Sequence, residues 1–403
     1  MITRDVRRAV DRAVAAAGFR PGTDPGLRPT GTPGQYAASV ALTLGANPRG
    51  TAATLAAALT GEQWIAAAEV TGPGYLVITV TPEALAAVAD DVTAAGSACV
   101  TSSALAGLTV PAASADDPLA AANWEEARAA LAARLTARLA AAAGATVADL
   151  RPEERERLTL PAHPSSPTGP EPPVGGASRR VANRDSGAGA GPHRCGDQKT
   201  VPDAKPRSRE TDVARAVAFA GRDEVTFTLA RAIPGQPVQV DPRIIARRVP
   251  GNPAYAVRYA HARAASGVRW AAVSAGEKTA SPATAVAADG SDTVANFAIG
   301  PGSRDSGGSG GASPREKLLD ALSWLPERVA IAARRGRPDE FARYLEDLAS
   351  VTVDVLSSAS HPGNATRGDG RAPGTDRLTL ARAARTGLAA GLGLLGVSAP
   401  ERL

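Results

Sequence analysis

Two tyrosines and two arginines in one stretch have the types and spacing to meet unpaired nucleobases. Tyr255 and Tyr259 stand at i, i+4, with Arg258 and Arg263 beside them. Residues four apart share a helix face. The two rings would then form one platform for splayed bases, with guanidinium groups on the phosphates. The same spacing equally suits rings packed into a bundle core, and the sequence leaves both readings open. Other chemistry is poorly served. The four histidines are His163, His193, His261 and His361, and no two lie close together. His261 reads as a packing or capping histidine rather than a ligand. Cys99 and Cys195 lack CxxC spacing, which argues against a disulfide framework and a zinc site. The run Ser306 to Gly311 has neither the Lys-Ser/Thr of a phosphate loop nor a strand leading into it. No catalytic residue, cofactor or metal is expected.

The elements that must position these residues fall into three regions. At 403 residues the chain supports two or three domains. Residues 1–105 read as a compact α/β unit. Ile2, Val6, Val10 and Val14 recur at helical spacing. After a Gly/Pro/Thr-rich loop from Gly18 to Gly34, the pattern predicts a helix from Tyr36 to Leu44. Asn47-Pro48 starts another, carrying Leu55 and Leu59. Val70 leads through Gly72-Pro73-Gly74 into a strand from Tyr75 to Val80. Thr81-Pro82-Glu83 then opens a helix through Leu85 and Val88.

Residues 106–210 read as a linker. One helix is predicted over 116–143, with Asp117 as N-cap, Pro118 at N1, and Leu131, Leu135 and Leu139 on one stripe. Residues 161–209 turn to Pro, Gly, Ser and Arg, too poor in apolar clusters to offset ordering entropy, so disorder is expected. The arginines from Arg179 to Arg184 read as part of that solvated linker.

Residues 211–403 read as a bundle of four or five helices. Asp223 to Ile233 fits a helix or a strand, and periodicity does not decide. Asn252-Pro253 starts a helix running past Trp270, followed by a loop from Ala275 to Gly311. Ser313-Pro314-Arg315-Glu316 is a capping box. Leu318, Leu322 and Leu325 stripe the helix behind it until Pro326 breaks it. Pro338 opens a helix with Phe341, Leu345, Leu348, Thr352 and Val355 on one face. A polar loop from His361 to Gly374 precedes a last helix, capped by Asp376, with Leu388, Leu392 and Leu395 inward and Gly396 as its stop. Trp124 and Trp324 read as core anchors. No internal repeat is visible.

Net charge of +5 and a pI near 9.5 permit a nucleic-acid partner without requiring one. The arginine excess is equally an effect of GC-rich coding. Mean hydropathy is −0.11, no apolar run is long enough for a bilayer, and the start has no apolar h-region. A cytoplasmic protein without membrane contact is expected.

Several strings resemble arginyl-tRNA synthetases. Gly34-Gln35-Tyr36-Ala37-Ala38-Ser39-Val40-Ala41-Leu42 resembles the family's G-D-Y-A-x-N-x-A-L, and Glu69-Val70-Thr71-Gly72-Pro73-Gly74-Tyr75 resembles its E-V-A-G-P-G-[FY]. Asn252-Pro253-Ala254-Tyr255-Ala256-Val257-Arg258-Tyr259-Ala260-His261-Ala262-Arg263 resembles N-P-x-Y-x-V-Q-Y-A-H-A-R, which opens the helical anticodon-binding (DALR) domain. The terminal run Gly391 to Leu403 resembles G-L-x-L-L-G-V-x-A-P-E-R-M, with Leu403 for the usual methionine. The resemblance covers roughly residues 1–90 and 215–403. It implies an α+β N-terminal additional domain followed by a mainly α-helical anticodon-binding bundle, joined by a partly disordered linker. It also implies tRNA contacts: Gln35 and Tyr36 toward the D-loop, with Gln35 replacing the family's acidic residue, and Tyr255, Arg258, Tyr259, Arg263 and Arg402 toward the anticodon.

The family's class I catalytic domain grips ATP with H-x-G-H and a K-M-S-K-S-type loop. No two histidines here allow the first, and Lys199, Lys205, Lys278 and Lys317 form no such loop. The segment between the two ends is also too short for a doubly wound sheet. The expectation is a non-catalytic, synthetase-related protein that binds tRNA, with arginine tRNA as the partner. Two alternatives stand beside it: an arginine–tRNA ligase component that needs a separate catalytic chain, and a protein–protein interaction module derived from a synthetase.

Overall fold

Val6, Val10 and Val14 line one face of helix α1 (Ile2–Ala16) and are at most 1% exposed. That stripe anchors the first layer of the fold. The computed structural model describes residues 2–149, 211–277, 312–358 and 373–403. The disorder expected over 161–209 lies outside these residues, as do most of the loops expected over 275–311 and 361–374.

The N-terminal region also holds a four-stranded antiparallel sheet in the order β1-β2-β4-β3: β1 (Arg28–Pro29), β2 (Gln35–Ala38), β3 (Ile65–Thr71) and β4 (Tyr75–Val80). Helices α2 (Ala41–Leu44) and α3 (Pro48–Leu59) lie between β2 and β3. Asn47 caps α3 by accepting from Gly50 N at 3.0 Å. The hairpin joining β3 to β4 needs Gly74, whose φ is 139°. A Cβ there would sit 2.9 Å from the carbonyl of Pro48.

The helix expected over Tyr36 to Leu44 is a correction. Residues 35–38 form β2 instead, with Tyr36 opposite Ile78 on β4, and only Ala41–Leu44 is helical. Tyr36 and Ala38 alternate inward along the strand. Helical propensity in this alanine-rich stretch is worth only tenths of a kcal/mol per residue, so pairing with β4 overrides it.

The helix expected after Thr81 runs as α4 (Pro82–Ala86) and α5 (Val88–Ala95), ending in a 3-10 turn over Gly96–Val100. The helix expected over 116–143 is shorter. Asp117 and Pro118 open a separate 3-10 turn (Pro118–Ala120), and α6 (Trp124–Ala142) begins at Asn123. Asn123 has extended dihedrals and accepts from Glu126 N at 2.9 Å, so the helix restarts there. Leu131, Leu135 and Leu139 are buried as the stripe required. Flanking α6, β5 (Thr109–Pro111) and β6 (Thr146–Ala148) pair in parallel.

The C-terminal elements are helical: α7 (Asp212–Ala220), α8 (Arg222–Arg231), α9 (Pro242–Ile245), α10 (Pro253–Glu277), α11 (Pro314–Ser323), α12 (Leu325–Arg335), α13 (Pro338–Ser358) and α14 (Pro373–Leu395). The ambiguous stretch after Asp223 is α8, with Val225, Phe227 and Leu229 all buried. Buried Thr226 and Ala230 widen that face beyond a strand's alternation. Among the described residues six of these helices have ten or more residues, more than the four or five expected. The difference arises because Pro326 splits one apolar stripe into α11 and α12. The capping box at Ser313 and Glu316 forms as read. Helix α14 begins three residues before Asp376, so Asp376 is not its cap. Its end is a Schellman motif: Gly396 at φ 75°, Gly396 N to Gly393 O at 3.1 Å, and Val397 N to Leu392 O at 3.0 Å.

Residues 1–150 and 211–403 form one compact unit. Helix α5 packs on α14, α1 on α12, and α6 on α12 and α8. Arg7 of α1 donates to both carboxylate oxygens of Glu327 at 2.7 and 2.9 Å, and Glu327 is only 4% exposed. Arg7 and Arg334 both reach Asp24.

Candidate nucleic-acid interface

Helix α10 carries the tyrosine pair. Asn252, buried at its start, donates Nδ2 to Ile245 O at 2.6 Å and Arg247 O at 2.8 Å, fixing the approach to Pro253. Ala254, Val257, Ala260 and Ala264 are at most 1% exposed and face α13 and α14. Tyr255 and Tyr259 lie off that face. Both are half-buried, and their rings stack with centroids 5.8 Å apart and planes 21° apart. The pair is therefore partly open to solvent and pre-stacked.

The arginines beside them are largely engaged. Arg258 pairs with Glu224 and, at 3.5 Å, with Asp223, the acidic first turn of α8; its side chain is 15% exposed. Arg258 is thus engaged by acidic side chains of α8 and does not stand free beside the tyrosines. Arg263 donates to Ser357 Oγ at 3.2 Å and is half-buried.

The C-terminal tail is held down by three side chains. His261 is 2% exposed and bonds Pro400 O through Nδ1 at 2.9 Å. A carbonyl only accepts, so Nδ1 carries the proton. Burial pushes this imidazole below the ordinary 6.5, against the upward pull of the Pro400 carbonyl and Glu401. Arg269 and Arg385 both grip Glu401. Arg402 follows, exposed.

On the D-loop side the structure separates the two expected residues. Gln35 is half-buried on the outward face of β2. Tyr36 is fully buried; its hydroxyl meets Ser323 Oγ at 3.0 Å, and its ring lies 5.3 Å from that of Trp324. The expectation that Tyr36 contacts tRNA is corrected, because no surface of the ring is accessible. Trp324 is the core anchor expected, whereas Trp124 is half-buried and borders an open groove.

Sequence reasoning passed over Arg243, Arg247 and Arg248. All three are exposed and make no ion pair among the described residues. The sequence shows three arginines among the apolar residues from Arg243 to Val249 but not that no carboxylate meets them. No described helix is long and apolar enough to cross a membrane, and no described cluster of His, Cys, Asp and Glu could hold a metal.

The family model of the DALR anticodon binding domain matches residues 257–403. The C-terminal part of the chain thus carries a DALR anticodon-binding domain, and its relatives there are arginine–tRNA ligases. The arginine–tRNA ligase of Frankia alni is 34% identical over 188 residues, which are 46% of this chain and 30% of that protein. The enzyme of Micrococcus luteus is 30% identical over 191 residues, again 46% and 30%. The match thus spans under a third of each relative's length. The solved Thermus thermophilus arginyl-tRNA synthetase aligns over 49% of this chain and 29% of its own, at 24% identity and a TM-score of 0.32, too low to carry a fold argument.

Proposed function

We propose that this chain is a non-catalytic relative of arginyl-tRNA synthetases that binds tRNA, with arginine tRNA the preferred partner. The observation that carries this reading is the stacked, half-open Tyr255–Tyr259 pair on α10, the helix in which the anticodon-binding match begins at position 257. Aromatic faces held parallel and partly solvated are what splayed loop bases need, and stacking contributes about 1–3 kcal/mol per base. The tail clamped by His261, Arg269 and Arg385 sets Arg402 out in solvent as an added contact. Gln35 remains for the D-loop side. Lack of catalysis is supported by the four histidines and four lysines, which form neither ATP-gripping motif. Without those positioned charges most of the rate enhancement for adenylation would be gone.

The test is capture of cellular RNA on the purified protein at physiological salt, followed by sequencing, with arginylation assayed on the same preparation. Enrichment of arginine tRNA with no arginylation is expected. Arginylation by the purified chain would overturn the non-catalytic reading. Absence of tRNA enrichment would overturn the tRNA reading and turn attention to a protein partner.

A further inference from the structure

A second surface of the same unit has the composition of an RNA contact. Helix α7, α9 and the start of α6 enclose an open groove of about 530 Å³. Phe219 on its rim is 64% exposed, and half-buried Trp124 lines it. With Trp124 beside it in the same groove, this exposed ring offers an aromatic face for stacking. Within the groove Asp212 and Asp241 balance Arg215 and Arg243, and exposed Arg247 and Arg248, next along the chain, tip the surrounding surface positive. Arg215 in the groove pairs with Asp212, and the Asp241 carboxylate is used to accept Arg243 N at 2.8 Å. The guanidinium groups of Arg243, Arg247 and Arg248 have no acidic partner among the described residues, and all three are exposed. Arg247 and Arg248 follow the end of α9 in irregular backbone, where Asn252 Nδ2 holds the Arg247 carbonyl at 2.8 Å. Exposed Ile244 and Val249 interleave with them.

We infer that this groove is a second RNA-binding surface: Phe219 and Trp124 stack an unpaired nucleobase, while Arg243, Arg247 and Arg248 hold the flanking phosphates. It rests on the reading of the chain as an RNA binder and adds a surface outside the matched domain, since residues 215–248 precede position 257. An acidic peptide would use the arginines but would not need the two aromatic side chains that line the groove, so RNA is the occupant favoured. Arginine suits both tasks, because its planar fork pairs with phosphate and stacks on bases.

The experiment uses the full chain with two probes: a short unstructured oligoribonucleotide carrying a fluorophore, and an arginine tRNA transcript. Phe219→Ala is expected to weaken oligoribonucleotide binding about tenfold. The triple variant Arg243→Ala, Arg247→Ala, Arg248→Ala is expected to flatten the log–log salt slope by about two. All four positions are exposed, and unchanged melting would show that the fold is kept. Wild-type protein that fails to bind the oligoribonucleotide, or variants that bind both probes like wild type, would overturn the groove. Tyr259→Ala separates the two readings. Binding of tRNA that depends on Tyr259 alone would leave the tRNA reading standing without the groove. Oligoribonucleotide binding that depends on Phe219, with no tRNA affinity, would do the reverse.

Discussion

The hydroxyl of Tyr36 and Oγ of Ser323 lie 3.0 Å apart, joining β2 to the break between α11 and α12. Ser323 Oγ donates to Asp320 O at 2.7 Å, so the phenol is the donor between them. Thr3 adds a bond to Ser323 O, and Gly34 N donates to Asp320 Oδ1 at 3.0 Å. The N-terminal layer thereby supplies partners to polar groups exposed where Pro326 interrupts the helical ladder.

Replacing Tyr36 tests whether that residue belongs to the core or to a tRNA surface. Tyr36→Phe loses one buried hydrogen bond, and about 1 kcal/mol of stability is expected to go with it. Tyr36→Ala adds a cavity and should cost about 3–5 kcal/mol. Urea unfolding reads both. Tyr36→Phe should leave tRNA affinity within about twofold; a loss like that expected for a stacking ring would return Tyr36 to the RNA surface.

Arg7 and Glu327 form the buried charge pair between α1 and α12, with side chains 13% and 5% exposed. Removing one partner strands the other, so Arg7→Ala is expected to cost about 3–5 kcal/mol. Arg7→Met with Glu327→Leu should regain most of that loss. A double variant no more stable than Arg7→Ala would mean that packing, not stranded charge, dominates.

Acid should loosen the tail through His261. Its folded pKa is depressed, chiefly by burial, so the unfolded chain takes up a proton first as pH falls. The contribution is complete above the ordinary value of 6.5 and is lost progressively below it. Melting temperature followed from neutral to mildly acidic pH should drop for the native chain. His261→Gln keeps a donor to Pro400 O and should flatten that dependence. Parallel pH profiles for the two proteins would rule the mechanism out.

Tyr259 and Arg258 should separate in their effects. Tyr259→Ala is expected to lower tRNA affinity by about tenfold, with little change in stability. Arg258 already faces Glu224 and Asp223, so Arg258→Ala should leave the salt dependence of tRNA binding unchanged. Its cost should show in unfolding instead. A salt slope reduced by Arg258→Ala would place that guanidinium on a phosphate after all.

What the sequence by itself determined is local. The cap at Asn47, the capping box at Ser313, the Gly396 stop and the leucine stripes of α6, α13 and α14 depend on residues within a turn or two of one another, and each formed as read. The anticodon-binding domain was also legible, because residues 252–263 and the terminal run are long and unusual in composition. Only the tertiary structure decided which polar and aromatic groups are spent inside the fold. Tyr36 and Arg258 carry side chains suited to RNA, yet one is buried against Trp324 and the other is neutralised by α8. Their partners lie 288 and 34 positions away, taking Trp324 and Glu224. Periodicity reports only the few neighbours on one element, whereas burial and pairing depend on what another element brings up against it. For the same reason Arg243, Arg247 and Arg248 drew no notice in the sequence: a guanidinium is recognised as free only once every carboxylate nearby has been placed.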